Sequence, residues 1–198
     1  MKDCFGFKEK DMVGFEEVDK FVREKLSDKR YFHSKCVMNR CIELAKIYGV
    51  DIEKAKFIGI AHDVAKEMSK EDKLKYVSDN NIEIDDVERV NVELLHAVIG
   101  ADICKKEFGF SEDMAEAVRN HTTGKPNMDM LSKILFIGDV TSQDREYGNI
   151  DNMIELANKD IDKAILENLN FTISDIVRKG RLLHLDTVRT RNWIMGEL

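Results

Sequence analysis

Apolar residues recur at helical three- and four-residue spacing almost from end to end of this chain, and a single proline, Pro126, interrupts it. Proline removes a helical N–H and clashes with the preceding turn, so a 198-residue chain with one proline is free to be helical nearly throughout. No period-two alternation stands out. The expected fold class is all-α, with roughly eight to ten helices of ordinary length.

Local signals place the helices. Phe15, Val18, Phe21, Val22 and Leu26 form a first stripe. Ser34 to Tyr48 reads as a helix stopped by Gly49. Asp51 caps a segment running through Lys66. Ser69, with Asp72 three residues on, starts Lys70 to Asp79. Asp85 to Phe108 holds one or two helices closed by Gly109, and Ser111 caps Glu112 to His121. Thr122 to Asn127 is a loop. Met130 to Val140 fits helix or strand by itself, and its neighbours favour helix. Asn152–Asn158, Asp160–Gly180 and Arg181–Trp193 complete the set. The length suits one domain, residues 15–198, with residues 1–14 as an N-terminal extension whose Phe5 and Phe7 could dock on the body or a partner.

Composition narrows the function classes. With 38 acidic against 31 basic residues, the net charge is -7, which argues against a general nucleic-acid binder. Arg178, Lys179, Arg181, Arg189 and Arg191 make the last helices locally basic, but Asp175 and Asp186 dilute them into a solvated face. Glu83, Asp85, Asp86, Glu88 and Glu93 read as a solvated face too. No apolar run approaches the roughly 20 residues of a membrane span. Met1 to Met12 carries Asp3, Glu9 and Asp11 rather than an apolar export segment, so a cytoplasmic protein is expected. Cys4, Cys36, Cys41 and Cys104 fit no zinc spacing and read as small core residues rather than disulfide partners.

The chemistry rests on histidine and aspartate. Each of His33, His62, His96, His121 and His184, taken alone, is an ordinary core or surface residue. Together the first four say more. His62-Asp63 closes an apolar helix, and a buried carboxylate is costly unless paired or on a metal. The two side chains differ by about 100° around a helix, so both can approach one cation. His33, His96 and His121 sit on three further helices, as a bundle presents ligands to a shared site. Asp139 follows the apolar run ILFIG and is a plausible fifth ligand. Imidazole with carboxylate suits iron, zinc, manganese or cobalt, and disfavours magnesium and calcium. His184, in LLHLD, matches no ligand position and reads as an ordinary helix residue.

The order His33, His62-Asp63, Asp139 resembles the H…HD…D pattern of the HD-domain metal-dependent phosphohydrolases, and His96 and His121 resemble the added ligands of its binuclear subfamily. The likeness is closer to the bacterial YqeK family. It lies in His33-Ser34, in His62-Asp63-Val64-Ala65-Lys66 and in Leu94-Leu95-His96 with Gly100-Ala101. It also lies in His121-Thr122-Thr123-Gly124-Lys125-Pro126-Asn127-Met128, and it covers about residues 15 to 195. The chain departs from that family after Asp139. Where the family usually reads D-Y-I-E-P-x-R, this chain has Asp139-Val140-Thr141-Ser142-Gln143-Asp144-Arg145.

The resemblance implies an HD-domain helical bundle with C-terminal helices and two transition-metal ions, iron first, with zinc, manganese or cobalt as alternatives. It implies that His33, His62, Asp63 and Asp139 hold one ion, and His96 and His121 the other, with Asp63 bridging. A water between two such ions loses a proton near neutral pH and becomes the nucleophile. The implied reaction is symmetrical cleavage of diadenosine tetraphosphate into two ADP. Asp63 and Lys66 are the catalytic candidates; Lys66, Arg145, Thr122, Thr123 and Gly124 are the candidate substrate contacts. The changed loop at Ser142 and Gln143 leaves room for another nucleotide phosphohydrolase, such as a nucleotidase or cyclic-nucleotide phosphodiesterase. A non-catalytic nucleotide-binding module is the third reading. A homodimer is compatible with the sequence.

Overall fold

The computed structural model describes residues 11–197, so Cys4, Phe5 and Phe7 lie outside the described residues. Among the described residues there are eleven α-helices and no strand, as the periodicity predicts. They are α1 (Phe15–Lys25), α2 (Asp28–Tyr48), α3 (Ile52–Ala61), α4 (Lys70–Asp79), α5 (Asp86–Val90), α6 (Leu95–Phe108), α7 (Glu112–Asn120), α8 (Met130–Val140), α9 (Ile150–Lys159), α10 (Ile161–Arg178) and α11 (Leu185–Glu197). A 3₁₀ turn, Val92–Leu94, precedes α6. No helix among the described residues is long and apolar enough to cross a membrane.

The helix ends show where local chemistry decides and where packing does. Gly49 and Gly109 stop α2 and α6 in the left-handed region, at φ 68° and 69°. Asp51 accepts the N–H groups of Glu53 and Lys54, and Ser69 accepts that of Asp72. Helix α2 begins earlier than Ser34: Ser27 caps it through the Arg30 N–H, so His33 lies inside the helix rather than at its start. Helix α3 stops at Ala61, short of the expected Lys66. From there the chain tightens, with Val64 donating to the Ala61 carbonyl (3.0 Å) and Lys66 to that of Asp63 (2.8 Å). Ser111 holds the N-cap position of α7, but its hydroxyl is turned to Asp113. Gly180, at φ 62°, breaks the chain before α11, which starts at Leu185 rather than Arg181.

Helix α2 is the centre of the bundle. It packs along α3 and α8, while α7 fills the space between α6 and α8. Two glycines permit the close approach. A Cβ on Gly59 of α3 would lie 2.6 Å from the Met38 Cα of α2, and one on Gly138 of α8 would lie 2.9 Å from Cys41 Sγ. Val37, Cys41, Leu44, Ile58, Val118, Ile134 and Ile137 form the dry interior between these helices. A smaller patch of Ala65, Val77, Val92, Leu95 and Ile99 pins α4 and the His62–Ser69 turn against α6. Cys36, Cys41 and Cys104 are buried free thiols within this packing.

Candidate metal centre

The inner ends of five helices converge on one point. His33 projects from α2; His62 and Asp63 leave the end of α3; His96 heads α6; His121 ends α7; Asp139 lies near the end of α8. The four imidazoles and Asp63 are buried, and Asp139 is mostly so. The rings stand edge to face in a row, His33–His62–His121–His96, with centroids 5.5, 5.1 and 5.1 Å apart.

The hydrogen bonds around the row fix where its protons sit. Nδ1 of His62 donates to the Gly59 carbonyl (2.9 Å), that of His121 to Val118 (2.7 Å) and that of His96 to Glu93. A carbonyl only accepts, so these Nδ1 atoms carry the protons and the Nε2 lone pairs face inward. There they meet other acceptors. His96 Nε2 lies 3.2 Å from His121 Nε2, and Asp63 Oδ1 lies 3.3 and 3.6 Å from the same two atoms. Asp63 Oδ2 is 3.5 Å from His62 Nε2, and Asp139 Oδ1 is 3.0 Å from His33 Nε2. His62 Nε2 and Asp63 Oδ1 are buried with no hydrogen-bond partner. Two lone pairs left without a donor in a dry interior fit a cation placed between them. The atoms satisfy that geometry: His33, His62 and Asp139 offer ligand atoms all within 4.8 Å of one another, as do His62, Asp63 and His121. Nitrogen and carboxylate donors of this kind fit a transition metal.

Three cationic side chains now stand against the carboxylates. Arg145 pairs with Asp139 and reaches its backbone carbonyl through Nε (2.9 Å). Lys66 Nζ lies 3.1 Å from His96 Nε2 and 3.8 Å from Asp63. Arg30 pairs with Asp63 Oδ2 at 3.0 Å. Burial works against charge on Asp63, but His62, His121 and His96 outweigh it and hold the carboxyl well below its ordinary range. Asp139 is likewise held down despite burial, by His33, His62 and Arg145. Burial pulls His62 down to about 4, so its ring is neutral and free to donate a lone pair. For His33 burial also works against charge, but Asp139 and Asp144 overcome it and raise the pKa.

The sequence description of the HD domain matches residues 30–164, which carry all six of these side chains. The chain belongs to the HD domain family. It is 33% identical over 182 residues to a Bacillus subtilis (strain 168) protein named symmetrical bis(5'-nucleosyl)-tetraphosphatase, covering 91% of this chain and 97% of that one. A protein of Halalkalibacterium halodurans with the same name is 35% identical over 177 residues, covering 89% and 94%. A solved structure from Clostridium acetobutylicum, described as a predicted HD superfamily hydrolase involved in NAD metabolism, superposes with a TM-score of 0.91. It is 34% identical and covers 94% of this chain and 100% of its own.

The other expected site residues divide. Thr122 keeps a buried hydroxyl without a partner. The Thr123 hydroxyl donates to the Gly124 carbonyl (3.1 Å), and its side chain lines a separate cavity of about 310 Å³ with Asp85, Arg119 and His184. Gly124 is needed for packing. It sits at φ +69°, a Cβ there would lie 2.9 Å from Thr190, and its N–H already donates to Asn120. His184 is not the ordinary helix residue expected. It stands just before α11, where Nδ1 accepts the Asp186 N–H (3.1 Å) and Nε2 donates to Asp85 (2.9 Å). Asp85, Glu88 and His184 also bring ligand atoms within 4.8 Å. Their hydrogen bonds nonetheless put the ring proton on Nε2, the reverse of the central row, and the trio works as a clasp between α5 and α11. Nor are Asp85 and Glu88 a plain solvated face, because Glu88 is buried and the two form a capping box. Sequence reading missed Arg30 and Asp144. Arg30 lies three residues before His33, one turn along the same helix face.

Proposed function

We propose that this HD domain is a symmetrical bis(5'-nucleosyl)-tetraphosphatase, a binuclear metal-dependent phosphohydrolase that cuts diadenosine tetraphosphate into two ADP. One observation carries the reading: His62 Nε2 and Asp63 Oδ1 are buried without a donor at the point where four imidazoles and two carboxylates converge, in a chain that spans nearly the full length of relatives bearing that name. His33, His62, Asp63 and Asp139 would hold one ion, iron being the first candidate, and His96 and His121 the other, with Asp63 linking the two. Bound ions of this kind supply water activation near neutral pH and neutralise phosphate charge.

The protein's own groups supply the rest. Asp63 turns Oδ1 toward His96 and His121 and Oδ2 toward His62, so one rigid carboxylate ties both halves of the centre together. Lys66 stands at the His96 end of the row and Arg145 at the His33 end. The two cations therefore bracket the length over which a polyphosphate would lie. Arg145 can grip a phosphate with two parallel N–H groups, whereas Lys66 acts as a point charge. Of the Thr122–Gly124 segment, the Thr122 hydroxyl is the donor left for substrate. We take residues 15–198 as the one HD domain, with residues 1–14 as its extension. The proposal includes a cytoplasmic location and leaves room for a homodimer.

The test is product analysis with iron(II)- or manganese(II)-loaded protein and diadenosine tetraphosphate. Two ADP per substrate is the expected result, lost in His62→Ala. AMP with ATP would mean asymmetric cleavage and end the proposal. Inorganic phosphate from mononucleotides would move it to a nucleotidase, and tight binding without turnover to a nucleotide sensor.

A further inference from the structure

The four histidines of the centre are not supported alike. His62 and His121 stand at the C-terminal ends of α3 and α7, where a helix leaves carbonyls without an N–H of its own. His96 follows the 3₁₀ turn at the head of α6. Each finds an acceptor for its Nδ1 proton three residues back along its own backbone. His33 lies inside the 21-residue α2, where carbonyls are taken by the bonds of the helix itself. Its support comes from a side chain 111 positions away: Nδ1 meets Asp144 Oδ2 at 2.8 Å. Asp144 is held in turn, because the buried Ser142 hydroxyl donates to its Oδ1 at 2.7 Å. The backbone there is tied down as well. Arg145 N–H donates to the Ser142 carbonyl (3.0 Å), and the Arg40 guanidinium donates to the Thr141 hydroxyl (3.0 Å). These residues fall in the stretch where the chain departs from the pattern it resembles.

We infer that Asp144 is a positioning residue for the metal centre: it accepts the hydrogen bond of the His33 Nδ1–H and thereby aims the Nε2 lone pair at Asp139 and His62, with Ser142 holding it in that pose. The inference rests on the reading of the cluster as a metal centre. Without an acceptor at Nδ1 the proton can move to Nε2, and an N–H pointing inward blocks the ligand position. A carboxylate at Nδ1 also makes Nε2 a better donor, and losing such a partner typically costs about 10–100-fold in metal affinity. The loss should fall on the side of the centre built by His33, His62 and Asp139. The half built by His96 and His121 keeps its backbone acceptors.

The test is a titration of metal-free protein with cobalt(II), followed by visible absorption and by metal counting. Wild-type protein should take two equivalents. Asp144→Ala should keep one at wild-type affinity and bind the other at least about 10-fold more weakly. Asp144→Asn, which preserves the size, covers the case of an Ala variant that fails to fold, and should weaken the same equivalent. Ser142→Ala should give a smaller loss in the wild-type background and none when added to Asp144→Ala. Wild-type affinity for both equivalents in the folded Asp144 variants overturns the inference. So does equal weakening of both, or a further loss from Ser142→Ala on top of Asp144→Ala. A wild-type protein that takes no cobalt overturns the metal-centre reading itself, and the inference with it.

Discussion

Arg145 grips Asp139, a group that would be needed elsewhere once an ion is bound. That makes it the side chain best placed to change partner from carboxylate to phosphate. Arg145→Lys keeps the charge and loses the planar fork, so the KM for diadenosine tetraphosphate should rise about tenfold, worth about 1.4 kcal/mol. Steady-state kinetics showing an unchanged KM would remove Arg145 from the substrate site. His62 makes a second prediction. Its folded pKa of about 4 lies below the ordinary 6.5, so between these values the unfolded chain binds the proton and the folded chain does not. Stability therefore falls as pH drops through this window. From pH 7 to 5 the metal-free protein should lose about 2 kcal/mol through this residue. His33 is raised instead, so its contribution is present at low pH and lost as pH rises, opposing the trend. Denaturant unfolding of wild type and His62→Gln at both pH values isolates the difference; parallel losses would refute it. At this scale the six converging side chains were legible because buried imidazole and carboxylate have few reasons to coincide. Arg30 and Asp144 were not. A charge on a polar helix turn looks solvated until Asp63 is opposite it, and nothing local links Asp144 to His33.

The spacing between α2 and α3 sets the distance between His33 and His62. Gly59 is where the two helices touch, since any Cβ would run into the Met38 backbone. Gly59→Ala should cost about 1–3 kcal/mol by overpacking. It should also weaken metal retention, because the shift separates His33 from His62. Calorimetry with metal counting checks both, and wild-type values for each would mean that the helices can part without cost. Helix ends set by one residue, such as Gly49, Asp51 and Gly109, were readable from the sequence because a cap is local chemistry. The early end of α3 was not. The turn after Ala61 is held from outside, by Glu67 accepting the N–H and hydroxyl of Ser27 and by Ala65 in the patch under α4. The same Ser27 caps α2 through the Arg30 N–H, so the start of α2 and the turn after α3 meet at one residue.

A globally acidic molecule gathers four of its five imidazoles and two carboxylates, Asp63 and Asp139, at the meeting point of five helices. Ions there would cross-link α2, α3, α6, α7 and α8. Metal at a hundredfold excess over Kd should add about 2.7 kcal/mol for each ion bound, or about 5–10 °C in Tm per ion for a chain of this size. Thermal melts with and without a chelator measure it, and equal melting temperatures would argue against a structural hold by metal. The all-helical class was plain from one proline and unbroken helical spacing; the arrangement was not, since α-helices pack in many orders. What the arrangement adds is an unequal exposure to mutation. Three of the four histidines lean on backbone carbonyls, which no substitution of the supporting residue can delete. Only His33 leans on a side chain, so single-nucleotide change can reach its support without touching any ligand. Random mutagenesis should find the soft point of this centre at Ser142 and Asp144, in a connection between helices rather than in the helices that hold the rings.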